Sequence, residues 1–427
     1  MRRILLIILV VASLADLALA QNIGAPKIIP RPIAITNGTV YPVSSASISN
    51  ATVLIRDGVI VAVGAGISIP ADAWTIDATG KIVTPGLINS TTELGLIEIS
   101  QVRSTNDASA KGSNNIAASF KVWDGLNPAS ALFAPTRNEG VTSVIVVPRG
   151  GLISGQAAAI DLVSGRSSDM IRRAPVAMVG QVGSSTDAGT SARGELIGKL
   201  RTLFDDVKFY VLHRLEYDRA SSRTLAAAKG DLEALIPVIE GRMSLMIEAN
   251  QMDEIDAALA LAHDYHLKLM ISGGAEAWLC ADRLAAAHIP VLTGAMSNIP
   301  ESFAALNQRQ ENAGLLRRAG VTVVLVGNGD GGEEQFNARN IKYDAGNAVA
   351  YGMTHDDALR AVTLSPAEVF GLSDRIGSLQ PGKDANIVIW SGDPFEFSTQ
   401  VEHVFIRGRE VREPSRQDLL IERYRPR

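Results

Sequence analysis

The sequence contains little cysteine and no cluster of basic residues. Cys280 is the only cysteine among 427 residues, so no disulfide bond can form within the chain and stability must come from the core. Cys280 follows Trp278 and Leu279, and this apolar setting predicts a buried, inert thiol and not a nucleophile. The formal net charge of -5, without any Lys/Arg cluster, argues against a phosphate-binding surface and predicts no nucleic-acid partner.

Long hydrophobic runs are also absent after the first residues of the chain. Arg2 and Arg3 precede an apolar run at residues 4–12, and Ala18-Leu19-Ala20 has the small-x-small form that signal peptidase cleaves. We therefore predict a signal peptide, residues 1–20, cleaved after Ala20, and a periplasmic or secreted mature protein. The run is too short to cross a bilayer and no later run is long enough, so we expect no membrane span after cleavage.

Both ends of the mature chain are rich in β-forming residues. The 46% of hydrophobic residues are enough for a large core and a smaller satellite domain. Asp57-Gly58 joins two β-rich runs and predicts a tight hairpin. Similar runs follow near the C-terminus, and the predicted strands of both flanks lie at residues 52–56, 59–63, 386–390 and 401–406.

The middle of the chain alternates short apolar runs with helical stretches. Predicted strands lie at residues 142–147, 176–179, 244–247, 268–271, 290–292 and 321–326, and clear helices at 232–240, 252–263, 275–287 and 301–319. Repeated βα units predict an α/β fold, a (β/α)8 TIM-type barrel with functional groups at the C-terminal strand ends. The main alternative is a doubly wound open sheet, which is disfavoured because no glycine-rich phosphate fingerprint follows the first strand.

Smaller signals mark helix starts, turns and loops. Thr354 with Asp357 can cap one helix, and Ser365-Pro366 predicts a cap followed by a proline at the first helical position, with Gly371 as the stop. Residues 150–156 are interpreted as a turn into a strand at 157–163, and they lack the spacing of a nucleophile motif. Residues 104–115 and 183–194 are predicted to be long loops, for which functional and plain surface roles both stay open.

Four segments together resemble the amidohydrolase superfamily, especially its imidazolonepropionase-like branch. Residues 361–367 and 375–390, with Pro381-Gly382-Lys383-Asp384-Ala385 in the latter, match the family's C-terminal helix, turn and strand. Residues 57–64 and 84–88 match its N-terminal side, so the resemblance covers nearly the whole mature chain. It implies a metal-bearing barrel at 84–374 and a β-sandwich built from 21–83 and 375–427. The implied reaction is hydrolysis of carbon–nitrogen bonds other than peptide bonds, such as those of cyclic amides or imines.

The family's metal-binding histidines are replaced in this sequence. Where the resemblance places His-x-His on the first barrel strand, Thr91 and Glu93 stand instead. Glu248 follows the fifth strand, and Asn328 and Asp330 follow the eighth, where a catalytic aspartate is expected. The bridging residue of the fourth strand cannot be placed. All six histidines are interpreted as structural or surface groups. Four lie in predicted helices or at their ends, one lies in the C-terminal β region and one in a charged stretch: His263, His266, His288 and His355, then His403, then His213.

The candidate site is therefore acidic. Glu93 and Glu248 are the candidate metal ligands, and Asp330 with Asn328 the candidate catalytic residues, with Glu333 or Glu334 as further carboxylates. Oxygen ligands suit magnesium, calcium or manganese better than zinc, so the cofactor is one such divalent metal or none. Two hypotheses follow: a hydrolase with an atypical metal site, and a non-catalytic barrel that binds a small ligand or supports a related subunit. Barrels of this family often pair, which leaves homo-oligomers and hetero-oligomers open.

Overall fold

The computed structural model describes residues 31–110, 112–183, 192–296, 300, 303–327, 334–411 and 414–425. The predicted signal peptide lies outside these residues, so its cleavage after Ala20 stays a prediction. Across the described part of the chain, no helix is both long enough and apolar enough to cross a membrane.

The described residues form sixteen strands and thirteen α-helices. The strands are β1 (Ile33–Val40), β2 (Ile48–Arg56), β3 (Val59–Gly64), β4 (Trp74–Asp77), β5 (Ile82–Pro85), β6 (Leu87–Thr92), β7 (Val141–Val146), β8 (Ile153–Asp161), β9 (Ile171–Gln181), β10 (Leu245–Ala249), β11 (Leu269–Gly273), β12 (Val291–Thr293), β13 (Val323–Leu325), β14 (Ile387–Trp390), β15 (Val401–Ile406) and β16 (Arg409–Glu410).

The helices surround the central strands and end the chain. They are α1 (Phe133–Asn138), α2 (Ser167–Met170), α3 (Arg193–Leu212), α4 (Arg214–Asp218), α5 (Lys229–Ile239), α6 (Met252–Tyr265), α7 (Ala281–Ala286), α8 (Asn312–Arg318), α9 (Glu334–Asn337), α10 (Ile341–Ala350), α11 (His355–Ala361), α12 (Leu364–Val369) and α13 (Arg416–Tyr424). Short 3-10 turns lie at Arg103–Thr105, Val122–Gly125, Ala277–Cys280, Phe303–Ala305 and Ala338–Asn340.

One sheet joins the two ends of the chain. Its order is β16-β15-β14-β5-β1-β2-β3, with β4 also paired to β1, and the antiparallel pair β14–β5 connects the C-terminal to the N-terminal strands. The predicted hairpin turn is confirmed, since Asp57 and Gly58 have φ values of 51° and 81° between β2 and β3. Both flanks therefore contribute to one sheet, as expected. The β-sandwich form of this domain stays a prediction.

The second sheet is a nearly closed barrel of eight strands in sequential order, β6 to β13. Its first and last strands approach each other where Gly327 donates its N–H to Asn89 Oδ1 at 3.4 Å. The lumen is filled by apolar side chains from every strand, including Ile145, Met246 and Met270, and is packed rather than open. These observations fit the predicted TIM-type barrel. Its strands overlap the apolar runs predicted as strands at residues 142–147, 176–179, 244–247, 268–271, 290–292 and 321–326.

One strand runs against the predicted repeat. β8 is antiparallel to both β7 and β9, so the barrel has seven parallel strands and one inverted strand. Gly150 and Gly151, with φ values of 81° and 76°, form the turn between β7 and β8, and only the short helix α2 separates β8 from β9. The expectation of eight successive βα units was wrong here, and the strand expected at 157–163 begins already at Ile153.

The predicted helices are confirmed in part. α5 and α6 lie where expected, but the stretch expected as one helix at 301–319 forms a 3-10 turn and the short α8. Tertiary hydrogen bonds hold the intervening residues out of a helix: Trp278 Nε1 donates to Asn307 O at 3.1 Å, and Asn307 Nδ2 donates to Glu276. Local helical propensity is overridden by these bonds.

The two helix-start signals had different outcomes. Thr354 Oγ1 accepts the Asp357 N–H at 3.1 Å, which confirms the predicted cap of α11. The cap predicted at Ser365 was wrong, because α12 already begins at Leu364. The Thr363 hydroxyl donates to Leu359 O at 2.6 Å and continues the preceding turn into α12. Gly371, at φ 68°, ends this segment as expected.

A buried ionic network fastens the barrel to the terminal sheet. Arg172, at the start of β9, donates to Asp161 Oδ2 at 2.6 Å and to Asp384 Oδ2 at 2.8 Å. Arg407 also donates to Asp161, and Arg375 to Asp384. Although burial lowers it, the two carboxylates raise the pKa of Arg172 above its ordinary value. The network fixes the end of the barrel opposite the mouth, because Asp161 ends the inverted strand.

Candidate functional site

The C-terminal ends of the parallel strands meet at one mouth of the barrel. Thr91 lies half-buried near the end of β6, and Glu93 follows it with 0% exposure. Glu248 lies on β10 beside Gln181 of β9 and Ser272 of β11, and its side chain is exposed. The alternation of β10 places Glu248 on the same strand face as Met246, which fills the lumen. Glu93 and Glu248 therefore both lie at the mouth, and their role as metal ligands stays a prediction.

Glu93 forms an ion pair with Arg149. Arg149 Nε contacts Glu93 Oε1, and the two side chains are 43% and 0% exposed. Neither carboxylate oxygen of Glu93 accepts any further hydrogen bond from the residues that the structure describes. The sequence prediction missed Arg149, although the apolar run at 142–147 places it just beyond a strand end. Its pairing with Glu93 depends on how two neighbouring strands align, which no local motif records.

Backbone contacts fix the position of Arg149. Its N–H donates to Ala108 O at 2.8 Å, and it forms a β-bridge with Ser109. The segment that contains these residues is the loop predicted at 104–115, and the Asp107 N–H ties it back to Leu96 O at 2.8 Å. Gly150 and Gly151 follow in the tight turn to β8. This loop is thus held against the mouth on the side of Arg149.

The fourth strand ends at a neutral side chain. β9 finishes with Gln181, whose Nε2 donates to Gly151 O and so contacts the turn next to Arg149. The structure thereby locates the strand end that the sequence left unplaced. Neither lysine nor glutamate stands there. The fifth to eighth strands were assigned to the correct positions, since β10, β11 and β13 follow in that order.

The structure does not describe the candidate catalytic residues. Asn328 and Asp330 fall outside the described residues, and so do Glu333 and the side chain of Glu334. Their roles after the eighth strand stay predictions.

Two further buried carboxylates near the mouth have structural roles. Glu254 Oε2 accepts the N–H groups of Asn250 and Gln251 at 2.9 and 3.1 Å, and caps the start of α6. Glu276 accepts the Met252 N–H at 2.8 Å together with Asn307 Nδ2. Both side chains satisfy backbone donors at helix and loop starts. Both oxygens of Glu276 are engaged, whereas Glu254 Oε1 accepts no hydrogen bond from the described residues and lies 4.0 Å from Arg193 Nη1.

The described residues do not fit the metal of the resembling family. Across the described ranges, no group of three or more His, Cys, Asp and Glu side chains comes together in a way that could hold a metal ion. All six histidines lie away from the mouth, in or beside α3, α6, α7, α11 and β15. Thr91 offers a hydroxyl, Glu93 is engaged by a guanidinium, and β11 ends in Gly273. This set lacks the imidazoles that zinc prefers.

The histidines instead take part in surface and packing contacts. His355 Nε2 lies 3.1 Å from Asp393 Oδ1, and its ring packs 4.9 Å from Phe395. The hydrogen bond with Asp393 raises the pKa of His355 from its ordinary value. Cys280 is buried, and burial raises the pKa of its thiol, which agrees with an inert residue.

Known proteins resemble this chain in sequence and in fold. Residues 240–411 match the model of the amidohydrolase family. The structure of an amidohydrolase from Thermotoga maritima MSB8 superposes with a TM-score of 0.80 and 28% identity, covering 90% of this chain and 100% of that one. These matches support a relationship to the amidohydrolase superfamily. An imidazolonepropionase of Mesorhizobium japonicum is 26% identical over 80% of this chain and 87% of its own length.

A further relative is much longer than this protein. The amidohydrolase tasK of Hapsidospora irregularis is 23% identical over 80% of this chain, which spans only 37% of that protein. The family match and these relatives support a hydrolase.

Proposed function

We propose that the chain is an exported amidohydrolase-type protein with a degenerate metal site, which takes a small cyclic amide or imine at its barrel mouth. The observation that carries the proposal is the ion pair between the buried Glu93 and the partly exposed Arg149 at the first two strand ends. A guanidinium that already neutralises Glu93 leaves this carboxylate unavailable to a divalent cation. Thr91, a poor ligand, is the other group at the positions of the family's His-x-His.

The proposed ligand class follows from the family and from the lining of the mouth. Proteins named imidazolonepropionase are 26% and 24% identical over 80% and 86% of this chain, which supports a cyclic ligand that contains nitrogen. Glu248 lies beside Gln181 on β10 and β9, and the exposed Glu248 carboxylate is a hydrogen-bond acceptor at the rim. A carboxylate at this place is complementary to the N–H of a lactam or cyclic imide.

We expect the purified mature protein to retain well below one equivalent of zinc, manganese or magnesium after dialysis. Elemental analysis measures the metal content of the protein. Turnover is measured with a panel of lactams and cyclic imines, with each metal added in turn. We expect ligand-induced stabilisation in thermal shift without metal-dependent hydrolysis. The Glu248→Gln variant should lose that stabilisation, whereas Glu195→Gln, an exposed change on α3, should keep it.

A second function is favoured by one specific observation. Glu248 is exposed at the mouth. If Glu248 and Asp330 together supplied oxygen ligands to a divalent metal, that metal would still permit hydrolysis of a carbon–nitrogen bond. Stoichiometric metal in the wild-type protein, together with metal-dependent turnover that disappears in Glu248→Gln and Asp330→Asn, would establish this function and overturn the degenerate site.

Export is proposed from the sequence of the first twenty residues. The apolar run behind Arg2 and Arg3 and the Ala18-Leu19-Ala20 site support it. Expression of the full chain in a Gram-negative host should yield periplasmic protein whose N-terminal residue is Gln21. Ala20→Arg should block this processing and leave a longer chain, while recovery of uncleaved wild-type protein in the cytoplasm would contradict export.

A further inference from the structure

A short segment between β14 and β15, residues 393–397, packs against the helices of the barrel. Phe395 lies against α10, where a Cβ added at Gly346 would lie 3.0 Å from Phe395 O. Phe397 stacks on Tyr343 of the same helix, with 4.5 Å between the ring centroids. We call residues 393–397 the seam segment, because they connect two strands of the terminal sheet and contact the barrel.

His355 joins the seam segment to α11. Its Nε2 lies 3.1 Å from Asp393 Oδ1, which also accepts the N–H of Phe395 at 3.0 Å. The imidazole packs against two rings, with centroids 4.9 Å from Phe395 and 5.8 Å from Tyr41, the residue after β1. His355 is the first residue of a barrel helix, whereas these three partners follow β1 or β14 of the terminal sheet. The contact therefore crosses the boundary between the barrel and the terminal sheet.

Among the described residues, the charged groups that face His355 are Asp393 on the seam segment and Asp356 on α11. The hydrogen bond to Asp393 raises the pKa of His355, burial opposes this, and the charges of Asp393 and Asp356 raise the pKa further. The same hydrogen bond lowers the pKa of Asp393. Burial and then the two carboxylates raise the pKa of Tyr41, so its phenol stays neutral. Near neutral pH, the group of this contact that changes its charge is therefore His355.

We propose that protonation of His355 fastens the seam segment to α11, so that the barrel and the terminal sheet are held together more firmly at mildly acidic than at alkaline pH. In the protonated imidazole both ring nitrogens are donors, so Nε2 donates to Asp393 and an ion-pair attraction is added. The neutral ring loses that attraction and keeps its packing against Phe395 and Tyr41. This inference concerns the boundary of the barrel and does not depend on the function proposed for the mouth.

The pH range of the fastening follows from the directions of the two pKa shifts. The folded protein binds the proton of His355 more tightly than the unfolded chain does. The contribution is therefore complete below the ordinary pKa of 6.5 and is lost as the pH rises through the raised pKa. Asp393, whose pKa is lowered, keeps its charge to below its ordinary value of 3.8. The fastening is thus present between about pH 4 and 6.5 and weakens above this range.

The first test follows the histidine side chains by NMR while the pH is varied, in protein labelled with ¹⁵N-histidine. The spectrum of His355→Gln identifies the signal of His355. This signal should titrate at a higher pH in the wild type than in Asp393→Asn, because the variant lacks the carboxylate that stabilises the protonated ring. His263, which is 89% exposed on α6, should titrate alike in both proteins. Titration of His355 at the same pH in both proteins would overturn the proposal.

The second test measures hydrogen–deuterium exchange of the seam segment at pH 6 and pH 8, corrected for the intrinsic exchange rate at each pH. Protection in the wild type should be about threefold or more lower at pH 8, because the weakened contact lets the segment open more often. His355→Gln and Asp393→Asn should show equal protection at both pH values, whereas the control His263→Gln should behave like the wild type. Equal protection of the wild type at both pH values, or the same fall in His355→Gln, would contradict the fastening.

Discussion

Replacing Arg172 by alanine is expected to lower the free energy of unfolding by about 3 kcal/mol, at the lower end of the range for breaking a buried ion pair. Arg172 bridges Asp161 and Asp384, and all three side chains are at most 9% exposed. Its loss leaves two buried carboxylates with less positive charge. Each retains one other arginine, Arg407 or Arg375, which keeps the expected loss from being larger.

Urea unfolding followed by circular dichroism measures this loss. The matched control is Arg242→Ala, since Arg242 pairs with Glu240 on the surface and both are exposed. Exposed pairs contribute little, so the control should leave the unfolding midpoint unchanged. If the Arg172→Ala protein were as stable as this control, the contacts of Arg172 between the barrel and the terminal sheet would contribute nothing measurable to the free energy of unfolding.

Replacing Trp390 by alanine is expected to cost about 3–5 kcal/mol, the usual range for deleting a buried tryptophan side chain. Trp390 is fully buried on β14, and its Nε1 donates to Thr84 Oγ1 at 2.9 Å. A Cβ placed on Gly140 would lie 2.3 Å from the indole ring, so the glycine is needed for this close packing. The substitution creates a cavity and also leaves Thr84 without this donor.

Trp74→Ala is the control for Trp390→Ala, because Trp74 lies in the same sheet but is 43% exposed. Its ring packs edge-on against Phe405 at 6.2 Å, so a loss of about 1 kcal/mol is expected. Both variants are compared in the same urea titration. Similar losses in the two proteins would mean that the packing of Trp390 between Gly140 and β5 contributes little.

The sequence predicted the positions of the barrel strands better than their direction. Apolar runs such as residues 142–147 and 321–326 coincide with β7 and β13, since strands buried on both faces need continuous apolar residues. The same composition suits either direction, so the inversion of β8 could not be derived from it. Gly150-Gly151 was interpreted as a turn, but a turn alone does not say that the next strand pairs with the preceding one.

The site was predictable where its residues lie next to one another in the sequence. Thr91 and Glu93 follow a strand motif, and Glu248 ends an apolar run, so their places at the mouth could be inferred. Arg149 reaches Glu93 only after β6 and β7 have paired, and Gln181 becomes a strand end only when β9 is seen to extend beyond residue 179. Contacts between strands are set by register, which the sequence does not display locally.

The inverted strand also changes how much chain entropy the barrel must lose to form. Val146 pairs with Ala158 across the turn at Gly150-Gly151, whereas Met178 meets Leu245 only after a long helical crossover. Closing a short loop costs less entropy than closing a long one, and contacts that are near in sequence form faster. We therefore expect the β7–β8–β9 meander to form early in folding, with β6 and β10 pairing onto its two edges as the rest of the barrel assembles.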